Sequence, residues 1–404
     1  MTWPLQLALV LSLLALAAGI AARTRDPLHP GTVLAAQWAL IGSVYLTLPH
    51  GMRPLQLDTV ALVIASAAMF ALASLAVPTS APPLRECRST ALRPLLFWIA
   101  LLGLPLFAWK AKSIADSIDL TDSMFINLRI ALTGEEGSET QTYGVLAYLL
   151  PVSFTSTLVE LAASKKRGFT ITGFIALAVS LAYAVLATGR TYLFLILIAL
   201  AFVALLQRRI GPWQLVGIGL ASGAVIFFGL GLLLNKIGND SVQDNALGAV
   251  EALGLYLLGS LAAFDLSQLQ TGPLQWGLNV FRSVLAAAEA LGSQVTVVPL
   301  VKEYVYVPEP TNVYTVFLPY VRDYGAAGAL AFMALFGYLH ARLYRAANSR
   351  DPRLQILYAL GMYPLLMQFF QDQYFSLLTT WVVHVVLVLG CFRRVPGPWR
   401  AAAA

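Results

Sequence analysis

The chain has 404 residues, of which 58% are hydrophobic and 11% are charged, and its mean hydropathy is +0.74. A soluble domain carries about 25% charged residues, so this composition excludes a water-soluble globular protein and predicts an all-α polytopic membrane protein. The formal net charge of +6 does not indicate nucleic-acid binding, because the basic residues follow a membrane topology pattern.

Apolar runs long enough to cross a hydrocarbon core of about 30 Å recur along the whole length. We predict about eleven transmembrane helices, or up to thirteen, in a single integral membrane domain that covers residues 1–404. The predicted spans are residues 4–22, 31–49, 58–77, 92–110, 143–163, 168–188, 191–207, 213–235, 324–346, 354–371 and 375–392.

The basic residues are distributed unequally between the two sides of the membrane. One set of loops holds seventeen of the 26 Lys and Arg residues against four acidic residues, a net charge of +13. The other side holds nine basic and sixteen acidic residues, a net charge of −7. Because cytoplasmic loops carry the positive excess, we predict an outside N-terminus and an inside C-terminus.

Two stretches on the predicted external side are long. Residues 111–142 are acid-rich and include MFINLRIAL around Arg129, which we predict as an interfacial helix. Residues 236–323 contain two apolar segments, 246–264 and 280–292, each with an acidic residue. Placing these charged side chains in the hydrocarbon core would cost free energy, so we interpret the two segments as re-entrant or interfacial helices. Two additional membrane spans are the alternative.

Three external arginines lie next to apolar segments. Arg190 is in the short connection ATGRTY, Arg282 follows Phe281, and Arg322 precedes Asp323. Contact with lipid headgroups or a structural ion pair explains each one alone. Because a planar guanidinium binds phosphate through two parallel hydrogen bonds, the three together favour a pyrophosphate site at the membrane surface.

The sequence has no Asp-x-Asp pair, no HExxH motif, no Cys/His cluster and no P-loop. We therefore predict no metal site and no cofactor. Asp116, Asp119 and Asp122 recur at helical spacing, which is typical of a solvated helix face or of a row of metal ligands. His384, in the middle of a predicted span, is interpreted as a hydrogen-bonded core residue.

Three segments of the C-terminal half carry a family resemblance. They are residues 187–209 (ATGRTYLFLILIALAFVALLQRR), 256–265 (YLLGSLAAFD) and 310–345, which begin PTNVYTVFLPYVRDYG. They resemble the oligosaccharide repeat-unit polymerases, the Wzy-type O-antigen polymerases. Before residue 170 only the hydropathy profile agrees with that family.

The resemblance implies a glycosyltransferase of GT-C-like helical architecture in the bacterial inner membrane, with residues 111–142 and 236–323 facing the periplasm. Such enzymes transfer a growing glycan from undecaprenyl pyrophosphate to the non-reducing end of a lipid-linked repeat unit. The implied partners are that lipid-linked oligosaccharide, membrane lipid and a chain-length regulator of the polysaccharide co-polymerase type. Nucleic acid is not among them.

This reaction assigns roles to the external residues. Arginines can neutralise the leaving pyrophosphate without a metal ion, and the candidates are Arg190, Arg282 and Arg322. A carboxylate has to accept the proton of the attacking hydroxyl, and the candidates are Asp265, Glu289 and Asp323. The predicted substrate-binding residues are Arg129, Tyr304, Tyr306, Asn312, Tyr314 and Tyr320. An aromatic belt at the membrane interface explains any single tyrosine equally well.

Three other functions fit part of the pattern. An O-antigen ligase shares the donor and the fold, but that family typically uses a histidine in its large external loop, and residues 236–323 contain none. A flippase or transporter of lipid-linked oligosaccharide needs arginines inside the bundle, whereas the predicted spans are nearly free of charge. A non-catalytic assembly protein needs no clustered arginines. The sequence therefore favours the polymerase.

Overall fold

The computed structural model of the protein describes residues 3–48, 50–78, 87–118, 120–133, 140–164, 168–224, 246–268, 272–299 and 301–395. The chain divides into two compact units. The first comprises Met1–Ser80, Asp240–Arg345 and Pro364–Thr379, and the second comprises Ala81–Asn239, Ala346–Tyr363 and Thr380–Ala404.

Helices dominate the described residues. They are α1 Trp3–Thr24, α2 Pro30–Thr47, α3 Leu57–Leu75, α4 Leu92–Ala115, α5 Met124–Thr133, α6 Leu149–Ala163, α7 Ile171–Leu186, α8 Arg190–Leu206, α9 Pro212–Ala224, α10 Ala246–Ser267, α11 Arg282–Ala290, α12 Phe317–Ala347, α13 Pro352–Leu366 and α14 Leu378–Cys391. The strands are β1 Cys87–Ser89, β2 Val305–Tyr306, β3 Pro310–Thr311 and β4 Phe392–Arg394. β1 pairs antiparallel with β4, and β2 pairs antiparallel with β3.

Each predicted span contains a helix, and a predominantly helical membrane protein is confirmed. Within the described ranges, five helical segments are long and apolar enough to cross a membrane: α1, α3, α4, α12 and the segment Gly144–Ala163 that includes α6. The number of spans and the GT-C-like architecture stay predictions, as do the single membrane domain and its two external regions. Residues 225–235 of one predicted span lie outside the described residues.

In the first unit, α1 packs along α2, and α3 packs against both. The helix α12 approaches α3 closely at Gly337, where an added Cβ atom would lie 2.2 Å from the carbonyl oxygen of Phe70. Small residues allow such backbone contact between membrane helices, where dispersion forces stabilise the packing. Gly337 is therefore a position where a side chain cannot be accommodated without movement of the helices.

The helix α12 is broken near its start. Gly325 has φ 69° and ψ −171°, a conformation that residues with a Cβ atom rarely adopt, so the helical segments on either side are distinct. The predicted span 324–346 begins at this break. The shorter segment, from Phe317 to Tyr324, is additional to that prediction and carries Arg322 and Asp323.

The connection between α13 and α14 is longer than the sequence pattern predicts. Residues 367–377 lie between the two helices, although the predicted spans leave only residues 372–374 between them. The carboxylate of Asp372 accepts hydrogen bonds from the N–H groups of Tyr374 (2.9 Å) and Phe375 (3.3 Å) and from the hydroxyl of Tyr320 (2.8 Å). These bonds satisfy backbone groups that a helix would otherwise satisfy, which stabilises the irregular segment.

In the second unit, α6 packs against α4, α7 and α8. Polar side chains connect these helices. The Arg93 guanidinium holds the Glu160 carboxylate through two hydrogen bonds of 2.7 Å. His384 is buried, and its Nδ1 lies 2.8 Å from the hydroxyl of Thr155. The interpretation of His384 as a hydrogen-bonded core residue is confirmed.

We expect Gly337→Ala to lower the thermal unfolding temperature of the protein in detergent, because the methyl group overpacks the contact with Phe70. Overpacking typically costs about 1–3 kcal/mol. Gly19→Ala in α1 is the matched control, since nothing lies within 4 Å of its added Cβ atom and the gain in helix propensity is the same. Equal unfolding temperatures for the two variants would contradict the close approach.

Candidate functional site

The first unit contains a cavity of about 400 Å³ beside the short first segment of α12. This volume is within the range of about 300–1,000 Å³ that is usual for ligand sites. The walls come from the end of α10, the turn before α11, the segment before β2 and the start of α12. The polar side chains in the walls are Ser267, Gln268, Gln275, Glu303 and Arg322.

Arg322 and Glu303 give the cavity one positive and one negative group. Within the described ranges, no group accepts a hydrogen bond from the Arg322 guanidinium and no group donates one to the Glu303 carboxylate. The two side chains do not form an ion pair with each other. Both are therefore available to a ligand in the same space.

Lys302 lies next to this cavity and is half-buried. The pKa of Lys302 is lowered to about 8, mainly by burial and also by the charges of Arg322 and Arg282, whereas the charge of Asp323 raises it. The Lys302 Nζ donates a hydrogen bond of 2.9 Å to the Asn279 side-chain oxygen. Arg282, Lys302 and Arg322 thus interact electrostatically, and we call these three residues the cation cluster.

Arg282 begins α11 and is half-buried. Its Nε donates a hydrogen bond of 2.8 Å to the carbonyl oxygen of Val298. Burial lowers the pKa of the Arg282 guanidinium, whereas the charge of Glu289 raises it. Glu289 is exposed at the other end of the same short helix. The structure therefore places these two predicted residues close enough to interact.

Asp323 is fully buried, and its carboxylate is occupied by donors. It accepts hydrogen bonds from the N–H groups of Asn279 (3.0 Å) and Val280 (2.8 Å), and from the Asn279 amide nitrogen (2.7 Å). The backbone carbonyl of Asp323 also accepts the N–H of Trp276. These bonds attach the turn before α11 to α12, which favours a structural role for Asp323 over proton transfer.

Asp265 is also buried and hydrogen-bonded. Its carboxylate forms a 3.0 Å ion pair with Arg53 and accepts the N–H of Gln56 at 2.9 Å. The Gln56 side chain donates to the Asp265 carbonyl oxygen at 2.9 Å. Asp265 thus fastens the end of α10 to the segment that precedes α3, and this arrangement favours a structural role for this residue as well.

The predicted sugar-binding residues have different environments. Tyr320 is fully buried, stacks on Phe332 and donates its hydroxyl to Asp372, as described above. Tyr314 is buried, and its hydroxyl donates to the carbonyl oxygen of Glu303 at 2.9 Å. Neither ring is exposed to a ligand in this structure.

Two of the predicted tyrosines are accessible. Tyr304 is 55% exposed and Tyr306 is 74% exposed; Tyr304 follows Glu303 directly, and Tyr306 comes two residues later. Asn312, after β3, is half-buried. None of the three lines the cavity itself. Their binding roles stay predictions.

Two further predicted residues belong to the second unit. Arg190 is the first residue of α8, and only residues 187–189 separate it from α7, so the predicted short connection is confirmed. The Arg190 side chain lies outside the described part of the structure. Arg129 is half-buried on α5, which confirms the predicted helix there.

Two functional candidates are missed by sequence reasoning. Lys302 and Glu303 are adjacent in the chain and lie in a segment without a recognisable motif. Their relation to Arg322 depends on the fold of the intervening loop. No group of three or more His, Cys, Asp or Glu side chains in the described ranges is placed to hold a metal ion, and Asp119 lies outside those ranges.

The fold and this cavity define a helical membrane protein with a cation cluster beside an internal polar site. Residues 138–367 match the model of the family described as "Putative O-antigen polymerase". The match covers more than half of the chain and includes the cavity and the cation cluster. The chain therefore belongs to the O-antigen polymerase family, and the resemblance found in the sequence is confirmed. No curated protein and no solved structure gives a significant match.

We expect Asp265→Ala to lower the unfolding temperature, because Arg53 and the half-buried backbone N–H of Gln56 both lose their acceptor. Leaving such a donor without a partner typically costs about 1–3 kcal/mol. Thermal unfolding and glycan transfer should be measured on the same preparation. A variant with the wild-type unfolding temperature and no transfer activity would contradict the structural role and restore Asp265 as a candidate base.

Proposed function

We propose that this protein is an O-antigen or polysaccharide polymerase that acts as a glycosyltransferase. It transfers the growing glycan from undecaprenyl pyrophosphate to the non-reducing end of a lipid-linked repeat unit. The family match supports polymerisation in general. The observation that carries the mechanism is the cavity in which Arg322 and Glu303, neither of which has a side-chain partner among the described residues, line the same space.

Arg322 is the main ligand for the pyrophosphate of the donor. The main chain at Arg322 is held against the turn before α11, because the Gln275 N–H donates to the Arg322 carbonyl oxygen at 3.0 Å. Lys302 and Arg282 add positive charge beside it. When the bond between the sugar and the phosphate oxygen breaks, these groups stabilise the negative charge that develops, each typically by about 3–4 kcal/mol.

Glu303 is the general base. Its carboxylate accepts the proton of the acceptor hydroxyl while that oxygen attacks the anomeric carbon of the donor sugar. The electron pair of the broken bond leaves with undecaprenyl pyrophosphate. Glu303 suits this role better than Asp265 or Asp323, because a carboxylate whose lone pairs already accept several hydrogen bonds is a weaker proton acceptor.

The exposed rings of Tyr304 and Tyr306 form the proposed acceptor surface, because aromatic faces pack on sugar rings. They follow Glu303 in the chain, so a sugar bound there has a short path to the base. The buried Tyr314 holds the main chain at Glu303 through its hydroxyl, and neither Tyr314 nor the buried Tyr320 is part of that surface.

The reaction takes place at the periplasmic face of the bacterial inner membrane. The cavity residues come from the acidic side of the chain, and the strongly basic loops identify the opposite side as cytoplasmic. We propose a metal-independent reaction, since the cation cluster supplies the positive charge that a divalent ion supplies elsewhere. A chain-length regulator of the polysaccharide co-polymerase type is the proposed protein partner.

The proposal is tested with the purified protein, undecaprenyl-pyrophosphate-linked repeat units and a chelator, with polymer length followed on gels. We expect Arg322→Ala to lower the rate about 10²–10³-fold and Glu303→Gln to lower it about 10²–10⁴-fold. Arg322→Lys should rescue only part of the rate, because lysine keeps the charge and loses the planar fork.

Glu309→Gln is the matched control for Glu303→Gln, because Glu309 is exposed between β2 and β3, close to Glu303 in the chain, and does not line the cavity. Equal effects of the two substitutions would exclude Glu303 as the base. Transfer to lipid A-core without a polymer ladder would indicate a ligase. Movement of the lipid-linked substrate across the liposome membrane without glycan transfer would indicate a flippase.

A second prediction concerns pH. Lys302 has a pKa of about 8 in the free protein, so it is charged below this pH and neutral above it. We therefore expect the affinity for the pyrophosphate donor to fall as the pH rises through about 8. Lys302→Arg should remove this loss, because arginine stays charged. Dissociation constants for undecaprenyl pyrophosphate, measured on both proteins across this range, check it; identical pH profiles would contradict it.

A further inference from the structure

β1 and β4 form a two-stranded ribbon in the second unit. The pairing places Arg88 opposite Arg393 and Cys87 opposite Arg394. Residues directly opposite in a ladder project from the same face, with Cβ atoms about 4.5–5.5 Å apart. Arg88 and Arg393 are both exposed, so two positive side chains share one face of the ribbon.

Among the described residues, the carboxylates near the ribbon are paired with other arginines. Arg93 is paired with Glu160, and Arg353 is paired with Asp351 through a 2.6 Å contact. Within the described ranges, neither Arg88 nor Arg393 has an acidic partner. Like charges directly opposite in a ladder are destabilising, so this register favours an anion bound between the two guanidinium groups.

The ribbon lies at the ends of two apolar helices. α14 continues directly into β4, and Thr90 and Ala91 alone separate β1 from α4. Thr90 ties the two helix ends together, because its N–H donates to the Cys391 carbonyl and its hydroxyl donates to the Gly390 carbonyl at 2.7 Å. The predicted spans 92–110 and 375–392 place the arginine pair at the membrane surface, the depth at which phospholipid headgroups lie.

Exposed apolar side chains continue from the ribbon along both helices. On α4 they are Leu95 and Trp98, and on α14 they are Val386 and Leu389. A positive pair next to such surfaces matches an amphiphile with an anionic head and apolar chains. Inorganic phosphate would satisfy the arginines but would leave the apolar side chains uncovered.

We propose that Arg88 and Arg393 together bind the phosphate of an anionic phospholipid whose acyl chains lie against α4 and α14. Guanidinium groups bind phosphate oxygens through paired hydrogen bonds, and two of them on one face enclose a single headgroup. The basic loops assign this end of the helices to the cytoplasmic leaflet. The site shares no residue with the cavity and does not depend on the proposed reaction.

The test measures lipid retained by the purified full-length protein, with native mass spectrometry after equilibration with equal amounts of phosphatidylglycerol and phosphatidylcholine. We expect the wild type to retain phosphatidylglycerol preferentially. Arg88→Gln and Arg393→Gln should each lower that retention about fivefold, since an arginine near an anionic surface contributes about 1 kcal/mol. The double variant should lose less than the product of the two single effects, because both residues hold one phosphate.

Arg394→Gln is the matched control. It removes the same charge from the same strand, but Arg394 projects from the opposite face of the ribbon with Cys87. We expect it to leave phosphatidylglycerol retention unchanged. Equal losses in all three single variants would overturn the proposal, because they would show a response to net charge only.

Unfolding temperatures distinguish a loss of lipid binding from a loss of folding stability. Without anionic lipid, Arg88→Gln should unfold at the wild-type temperature or above it, because the repulsion between Arg88 and Arg393 is relieved. Added phosphatidylglycerol should stabilise the wild type and not this variant. Stabilisation of both proteins to the same extent would overturn the site, and displacement of the lipid by millimolar inorganic phosphate would reassign it to free phosphate.

Discussion

The buried carboxylate of Asp323 accepts the backbone N–H groups of Asn279 and Val280 and thereby fixes the turn before α11 against α12. The cavity depends on this contact for three reasons. Arg322, which lines the cavity, precedes Asp323. Gln275, which also lines the cavity, belongs to the turn that Asp323 holds. The Asn279 side chain, held by the same carboxylate, accepts the hydrogen bond that positions Lys302. One buried acid therefore organises both the cavity wall and the cation cluster.

Carboxylates in the first unit divide into two groups by their environment. Asp265, Asp323 and Asp372 are buried and accept several hydrogen bonds, so they connect segments that have no regular secondary structure between them. Glu303 is exposed and has no donor among the described residues. A protein embedded in lipid needs the first group because unpaired backbone groups are costly there. A carboxylate in an environment like that of Glu303, exposed and without a hydrogen-bond donor, is able to accept a proton.

The arginines divide in a corresponding way. Arg53, Arg93 and Arg353 are neutralised by buried acids; the first two pairs join separate segments, and the third lies at the start of α13. Arg322 in the first unit and the pair on the ribbon in the second have no such partner in the described ranges. In a chain with few charges, an arginine without a counter-charge has a high electrostatic energy, which a phosphate lowers. Both anion sites that we propose follow from this difference.

Sequence alone determined the membrane class, the helix positions and the family, because hydropathy and local motifs are properties of contiguous residues. It also indicated Arg282 and Arg322, because a charged residue next to an apolar segment can be recognised from the sequence itself. The tertiary structure decided the rest. Asp265 meets Gln56 across 209 positions, and Asp323 meets Asn279 across 44, so their structural roles have no local signal. Lys302, Glu303 and the pairing of Arg88 with Arg393 likewise depend on which distant segments the fold brings together.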